Sequence, residues 1–298
     1  MKRILATIAV LTFAGLQNPA SAALGIDIAA DRRRYVRYEP INLTIRLRND
    51  TGNVLDFGAN DRRVGHLKLE IRDGEGNPAR ATRDPNHLVD HLRLPAGASK
   101  HLTLALNNYF ALTRQADYTV HAEIGHSRLS HDYRSNRLTL EVRNAFPVWE
   151  RKFGLPGHDE DQAIVNRKAS LLRFQEKDGE IYCLRIEDDN YVYSIQRIAR
   201  HIIGARPRGD VDAIGNIHIF IRIKSRIFMH QAYDHQGELK QERYYTFDNS
   251  APTLFRDQRT GTMQVIGGRP AIRGVDYAMP EDVEGTIFED SAPVLEPL

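Results

Sequence analysis

With 298 residues, 41 basic against 39 acidic side chains and 41% hydrophobic content, this chain is long enough for two cored domains. Its charge is too evenly balanced to mark nucleic acid or an anionic membrane as the main partner, and the apolar fraction excludes disorder of the whole chain. Cys183 is the only cysteine, so no internal disulfide can form and stability has to come from packed cores.

Residues 1–22 differ from everything that follows. Lys2 and Arg3 precede an apolar run from Ile4 to Leu16, and Ala20-Ser21-Ala22 supplies small residues at a cleavage position. This pattern predicts a signal peptide, with the mature chain starting at Ala23. The run is short for a bilayer span, and no later stretch approaches that length, so no membrane span is expected. No cysteine follows the run, so a lipid-modified N-terminus is not expected either. The expected location is periplasmic or extracellular.

Residues 23–144 read as short strands separated by turns. Ile26 and Ile28 open the series, and the basic run Arg32-Arg33-Arg34 follows. Ile41, Leu43, Ile45 and Leu47 alternate with polar residues up to the turn cluster Asn49 to Asn53. Leu67, Leu69 and Ile71 repeat the pattern before the reversal Asp73 to Pro78. Three further alternations place their apolar sets on even numbers: Leu102, Leu104, Leu106; Tyr118, Val120, Ala122, Ile124; and Leu138, Leu140, Val142. Period two predicts half-buried antiparallel strands, and about seven of them make a β-sandwich. Tyr118 stands where such sandwiches place a tyrosine corner, with an ordinary core tyrosine as the competing reading.

Residues 145–162 break the pattern with prolines, glycines and the acidic cluster His158 to Asp161, which lacks the spacing of a calcium loop. They are expected to form a linker that docks through Phe146, Trp149 and Phe153. Residues 163–274 are again β-rich. Gly179, Gly215 and Gly261, which lie 36 and 46 residues apart, each lead into an apolar alternation, as in repeated sheet units. Ser194 to Ile203 could instead be a short helix, because Ile195, Ile198 and Ile202 have helical spacing. Residues 275–298 are acidic and read as an extended tail. Cys183, inside an apolar strand-like run, is expected to be a buried, inert thiol.

Two resemblances emerge from these residues. Leu47 to Gly52, Leu69 to Gly74, Leu94 to Ala98 and Asp117 to Val120 resemble bacterial extracytoplasmic Ig-like domains, loosely of the BsuPI proteinase-inhibitor type, over about residues 40 to 125. These motifs are turns and alternations, and no loop is defensible as an inhibitor's reactive site. Asp212 to His218 is similar to a D-x-x-G-N-I-H signature of β-propeller blades, although the remaining length cannot supply a closed ring. The expected fold is therefore all-β: an Ig-like sandwich joined to an incomplete propeller-like sheet or a second sandwich.

The chemistry is sparse. There is no G-x-S-x-G elbow, P-loop or dinucleotide fingerprint. His121, Glu123, His126 and His131 lie close in sequence, but alternation places the first two on a solvent face and the others in the following turn, so no metal site is expected. No cofactor is expected. The binding candidates are Arg32, Arg33 and Arg34 as a positive patch, Trp149 as an aromatic platform, and His218. The bland alternatives are a charged edge strand for the arginines and domain packing for the tryptophan. The expected function is an exported, non-catalytic binding or structural module with a protein or glycan partner. The alternatives are a secreted hydrolase with its site near Asp212 and His218, or an inhibitor-like protein.

Overall fold

The computed structural model describes residues 24–58, 64–155 and 165–278. The expected signal peptide, the cluster His158 to Asp161 and the tail beyond residue 278 lie outside them. The described residues form several separate β-sheets with no closed barrel and only short 3-10 turns besides, so the chain is all-β.

The first half contains β1 (Leu24–Ala30), β2 (Arg34–Val36), β3 (Asn42–Asn49), β4 (Leu55–Asp56), β5 (Gly65–Asp73), β6 (Arg93–Leu94), β7 (Ser99–Ala105), β8 (Ala116–His126), β9 (Tyr133–Arg134) and β10 (Leu138–Arg143). One sheet runs β1-β3-β7 and a second runs β2-β10-β8-β5, while β9 pairs with β8. Pairing is antiparallel except for β2, which lies parallel to β10. The inward sets of both sheets, among them Leu43, Ile45, Leu67, Val120, Ala122, Ile124 and Leu140, share one core. The expected even-numbered face is the buried one, with Leu102 and Leu138 at its margin. Leu106 is also buried, but in a short 3-10 turn beyond β7. Tyr118 makes the corner: its hydroxyl donates to the Arg114 carbonyl at 3.1 Å. Asn49 is fully buried, and its amide nitrogen donates to the carbonyls of Asn53, Leu94 and Pro95, which ties the β3 end to the β6 region.

The second half contains β11 (Phe146–Leu155), β12 (Val165–Glu176), β13 (Gly179–Glu187), β14 (Val192–Arg200), β15 (Arg208–Val211), β16 (Ile217–Arg222), β17 (Phe228–Tyr233), β18 (Leu239–Thr246), β19 (Thr253–Arg256), β20 (Met263–Ile266) and β21 (Arg269–Pro270). β11 to β14 form one antiparallel meander and β15 to β18 another, to which β21 adds an edge; β19 and β20 are a separate hairpin. The three glycine turns therefore feed three different sheets, through β13, β16 and β20.

Two expectations need correction. Phe146–Leu155 is not a linker but the edge strand of the β11–β14 sheet. Pro147 is tolerated there because an edge strand can spare an N–H, and the register shifts between Pro147 and Trp149. The Ser194 region is not helical. Ile195 and Ile198 sit on opposite sides of β14, one in each core beside the sheet, whereas a helix would align them on one stripe.

Three hairpin turns share one construction: Asp73 to Asn77, Asp212 to Asn216, and Asp234 to Glu238. In each, the aspartate Oδ1 accepts backbone N–H groups two and four residues on, at 2.8–3.0 Å. The fourth residue is a glycine at φ 88°, 87° and 93° respectively, a conformation that favours glycine. The D-x-x-G part of the propeller-like signature thus recurs in the first half, as the chemistry of a tight turn.

The central sheet carries apolar residues on both faces. Ala169, Leu171, Tyr182, Leu184 and Ile186 pack with Val211, Ile217, Ile219, Ile221 and Tyr233 of the β15–β18 sheet. From the other face, Leu172, Phe174, Cys183 and Ile195 meet Val36 of the first half and Ala145 of the connection between the halves. Arg197 clasps this joint. Its Nε donates to Glu39 Oε1 at 2.6 Å, its Nη2 donates to Glu39 Oε2 and the Arg34 carbonyl at 3.1 and 2.9 Å, and its Nη1 pairs with Glu176. Glu39, 6% exposed, also accepts the Val36 N–H at 2.8 Å.

Removing the guanidinium leaves the buried Glu39 carboxylate with only the more distant, exposed Arg32 guanidinium, 3.9 Å away, as a cation. Arg197→Met is expected to cost about 3–5 kcal/mol in urea denaturation, and adding Glu39→Gln should recover much of it. If the double variant is no more stable than the single, the clasp is not the source of the loss.

Candidate functional site

The site suggested by Asp212 and His218 is assembled by one hairpin and its neighbour. The Asp212 turn closes β15 onto β16 and holds the carboxylate beside His218, whose Nε2 lies 3.2 Å from Asp212 Oδ2. The register pairs Phe220 of β16 with His230 of β17, and His218 Nδ1 lies 3.0 Å from His230 Nε2 with the two rings stacked. In the neutral pair, His218 donates to Asp212 and accepts from His230. Burial raises the Asp212 carboxyl, but bonds from Asn216, His218 and Ile214 outweigh it and hold the group below its ordinary value. His230 is pushed down to about 4 by burial first, then by the charges of His218 and Arg243. The imidazoles are 7% and 4% exposed, and among the described residues neither bonds to a hydroxyl or thiol that could act as a nucleophile.

The other sequence candidates are elsewhere and do not converge on this hairpin. Arg34 is a strut: it binds Glu141 at 2.7 Å and donates to the Gln175 carbonyl of the second half. Arg32 pairs with Asp31 at 2.9 Å, and Arg33 is exposed while its carbonyl accepts the Glu141 N–H. The three arginines therefore form no single free patch, and β2 is an edge strand. Trp149 is no platform. Its ring lies against Gly209, where a Cβ would come within 2.7 Å, so it packs between the two sheets of the second half. Cys183 is fully buried, and burial pushes its thiol far above the ordinary value.

The outward face of β5 and β8 presents a different arrangement. Register sets Lys68 opposite Glu123 and Glu70 opposite His121, and Arg134 of β9 stands across from Glu123. Glu70 binds Arg72 at 2.6 Å and Arg134 at 2.7 Å, and the Arg72 bond first of all keeps its carboxyl below the ordinary value. Over this face lies a cleft of about 320 Å³ that adjoins a second hollow of about 530 Å³; both are lined by Lys68, Leu69 and Phe110. His121 lines the first and leaves its Nδ1 buried without a partner.

At one end of this face, His66, Glu123 and Asp132 each offer a ligand atom, all within 4.8 Å of one another. Sequence reasoning grouped Glu123 with His121, His126 and His131 instead. His126 ends β8, buried, with Nε2 3.0 Å from the Asp56 carbonyl. The missed signal is Gly125, inside a strand where glycine marks close approach: a Cβ there would fall 2.0 Å from Asp132 Oδ1 and 2.4 Å from His66 Cε1.

The depressed His230 has a measurable consequence. Between pH 6.5 and about 4 the unfolded chain binds a proton at this residue that the folded chain refuses. Stability should therefore fall as pH drops through that window, by up to about 3 kcal/mol. His230→Gln should flatten this part of the stability profile, read as urea midpoints from pH 7.5 to 4; an unchanged slope would assign it to other groups.

No protein-family model matches the chain, and no curated protein is similar enough to match it.

Proposed function

We propose that this chain is an exported, non-catalytic binding module that holds a protein partner of the cell envelope or extracellular space in the cleft over β5 and β8. The observation that carries the reading is His121. A buried nitrogen without a hydrogen bond costs about 1–3 kcal/mol and calls for a partner, and the residue that carries this one lines an open cleft. The rim offers Lys68, Glu70, Glu123 and Arg134, charges of both signs, around Leu69, Ile71 and Phe110. Such a lining suits a polar chain with complementary charges better than an apolar small molecule. The N-terminal sequence supports export. The alternations, the Tyr118 corner and the shared core support an Ig-like first half, and the two consecutive four-stranded meanders support a propeller-like second half.

The second reading is a hydrolase at Asp212 and His218, favoured by the hydrogen bond between them. Against it, the turn and Asn216 already occupy the Asp212 oxygens, and the histidines are enclosed. This resembles an internal brace more than an open site.

Capture separates the two. The immobilised chain is exposed to envelope proteins and, in a second arm, to envelope glycans. Retention of a defined protein that falls at least about tenfold with Arg134→Glu supports the cleft, because reversing a rim charge opposes a charge-matched partner. Glycan retention with the same sensitivity would keep the cleft and replace the partner class. Retention indifferent to Arg134→Glu, or none, would sink the reading.

A further inference from the structure

We propose that His66, Glu123 and Asp132 form a zinc site at the end of the β5–β8 face. An imidazole nitrogen and two carboxylate oxygens are ordinary zinc donors, and three protein ligands leave a fourth position for water. The residues come from three separate segments: His66 from β5, Glu123 from β8, and Asp132 from the turn before β9. What lets them meet is an empty place in the lattice of side chains. His66 pairs across the ladder with Gly125, so the outward position beside it holds no side chain, and the imidazole and the Asp132 carboxylate both lean into that space.

The distances fit. Two tetrahedral zinc ligands at bonds near 2.0–2.1 Å stand about 3.3 Å apart. His66 Nε2 and Asp132 Oδ2 are 3.2 Å apart. The third atom lies within 4.8 Å of both, so Glu123 has to close a gap of at most about 1.5 Å, within reach of a side-chain rotation. Lys68 works against that step, since its Nζ lies 3.3 Å from Glu123 Oε1. Zinc would replace two internal pairs, His66 with Asp132 and Lys68 with Glu123, and free the lysine to the cleft. His66 and Asp132 remain partly exposed, so an ion has a route in.

The site stands apart from partner capture, because zinc alone reads it. The full purified chain is titrated with Zn²⁺ by calorimetry, and with Co²⁺ by visible absorption to report low coordination number. One ion per chain is expected. His66→Ala and Asp132→Asn should each weaken binding at least about tenfold while the metal-free unfolding midpoint stays in place. Lys68→Met should strengthen binding by removing the competitor for Glu123. His131→Ala, which alters a neighbouring imidazole outside the triad, should leave binding unchanged. Failure to take up one ion, or uptake that survives both His66→Ala and Asp132→Asn, overturns the assignment; so does loss with His131→Ala alone.

Discussion

Two strands with little water on either side, β12 and β13, set the terms for the rest of the molecule. Once Ala169 and Leu171 must be dry on one face and Leu172 and Phe174 on the other, the sheet needs a cover from each direction. The β15–β18 sheet supplies one, and the first half, through Val36 and with Ala145 of the connection beside it, supplies the other. This is why the run Leu171-Leu172 does not alternate while β3 and β8 do: a strand buried on both faces has no polar side to show. It also explains the lone thiol. Cys183 is a small apolar filler in the joint between the halves, where a larger side chain would have to displace Leu172 or Val36.

The same distinction separates what was legible in the sequence from what was not. Period-two alternation reports a strand with one wet face, so the strands of the first half could be read with their buried sets, and Tyr118 could be placed at its corner. In the second half, alternation is blurred by two-sided burial and by bulges. Ile195 and Ile198 looked helical because they lie three apart on two faces that serve two cores, with a register irregularity at Ile198 itself. Pro147 looked like a terminator because a sequence does not say which strand will be an edge. The candidate sites divide likewise. Asp212 and His218 are six residues apart on one hairpin, and a turn motif was enough to associate them. His66 and Asp132 are brought together by the pairing of β5 with β8, and nothing local in either segment announces the other; only Gly125 leaves a trace.

The polar groups of the two candidate sites are of two kinds. Those of the Asp212–His218–His230 chain are consumed internally: both Asp212 oxygens, both His218 nitrogens and His230 Nε2 have partners from the same hairpin or its neighbour, and the rings are stacked under cover. Those on the β5–β8 face are arranged in exposed cross-strand pairs, with one imidazole nitrogen left over. Exposed pairs of this sort contribute little to stability, and for that reason they can be exchanged for contacts with something else at small cost.

β2 is only three residues long, yet it faces two ways. Tyr35 enters the core of the first half and Val36 enters the joint, while the strand between Arg34 and Val36 lies parallel to β10 against the antiparallel grain of everything around it. The consequence concerns modularity. A chain cut near Asn144 would leave Val36 and Glu39 without Leu172 and Arg197 on one side, and an uncovered sheet on the other. The halves are thus not beads that recombination could shuffle freely. Any ancestor or engineered fusion that inherits the second half must also inherit a substitute for this short strand.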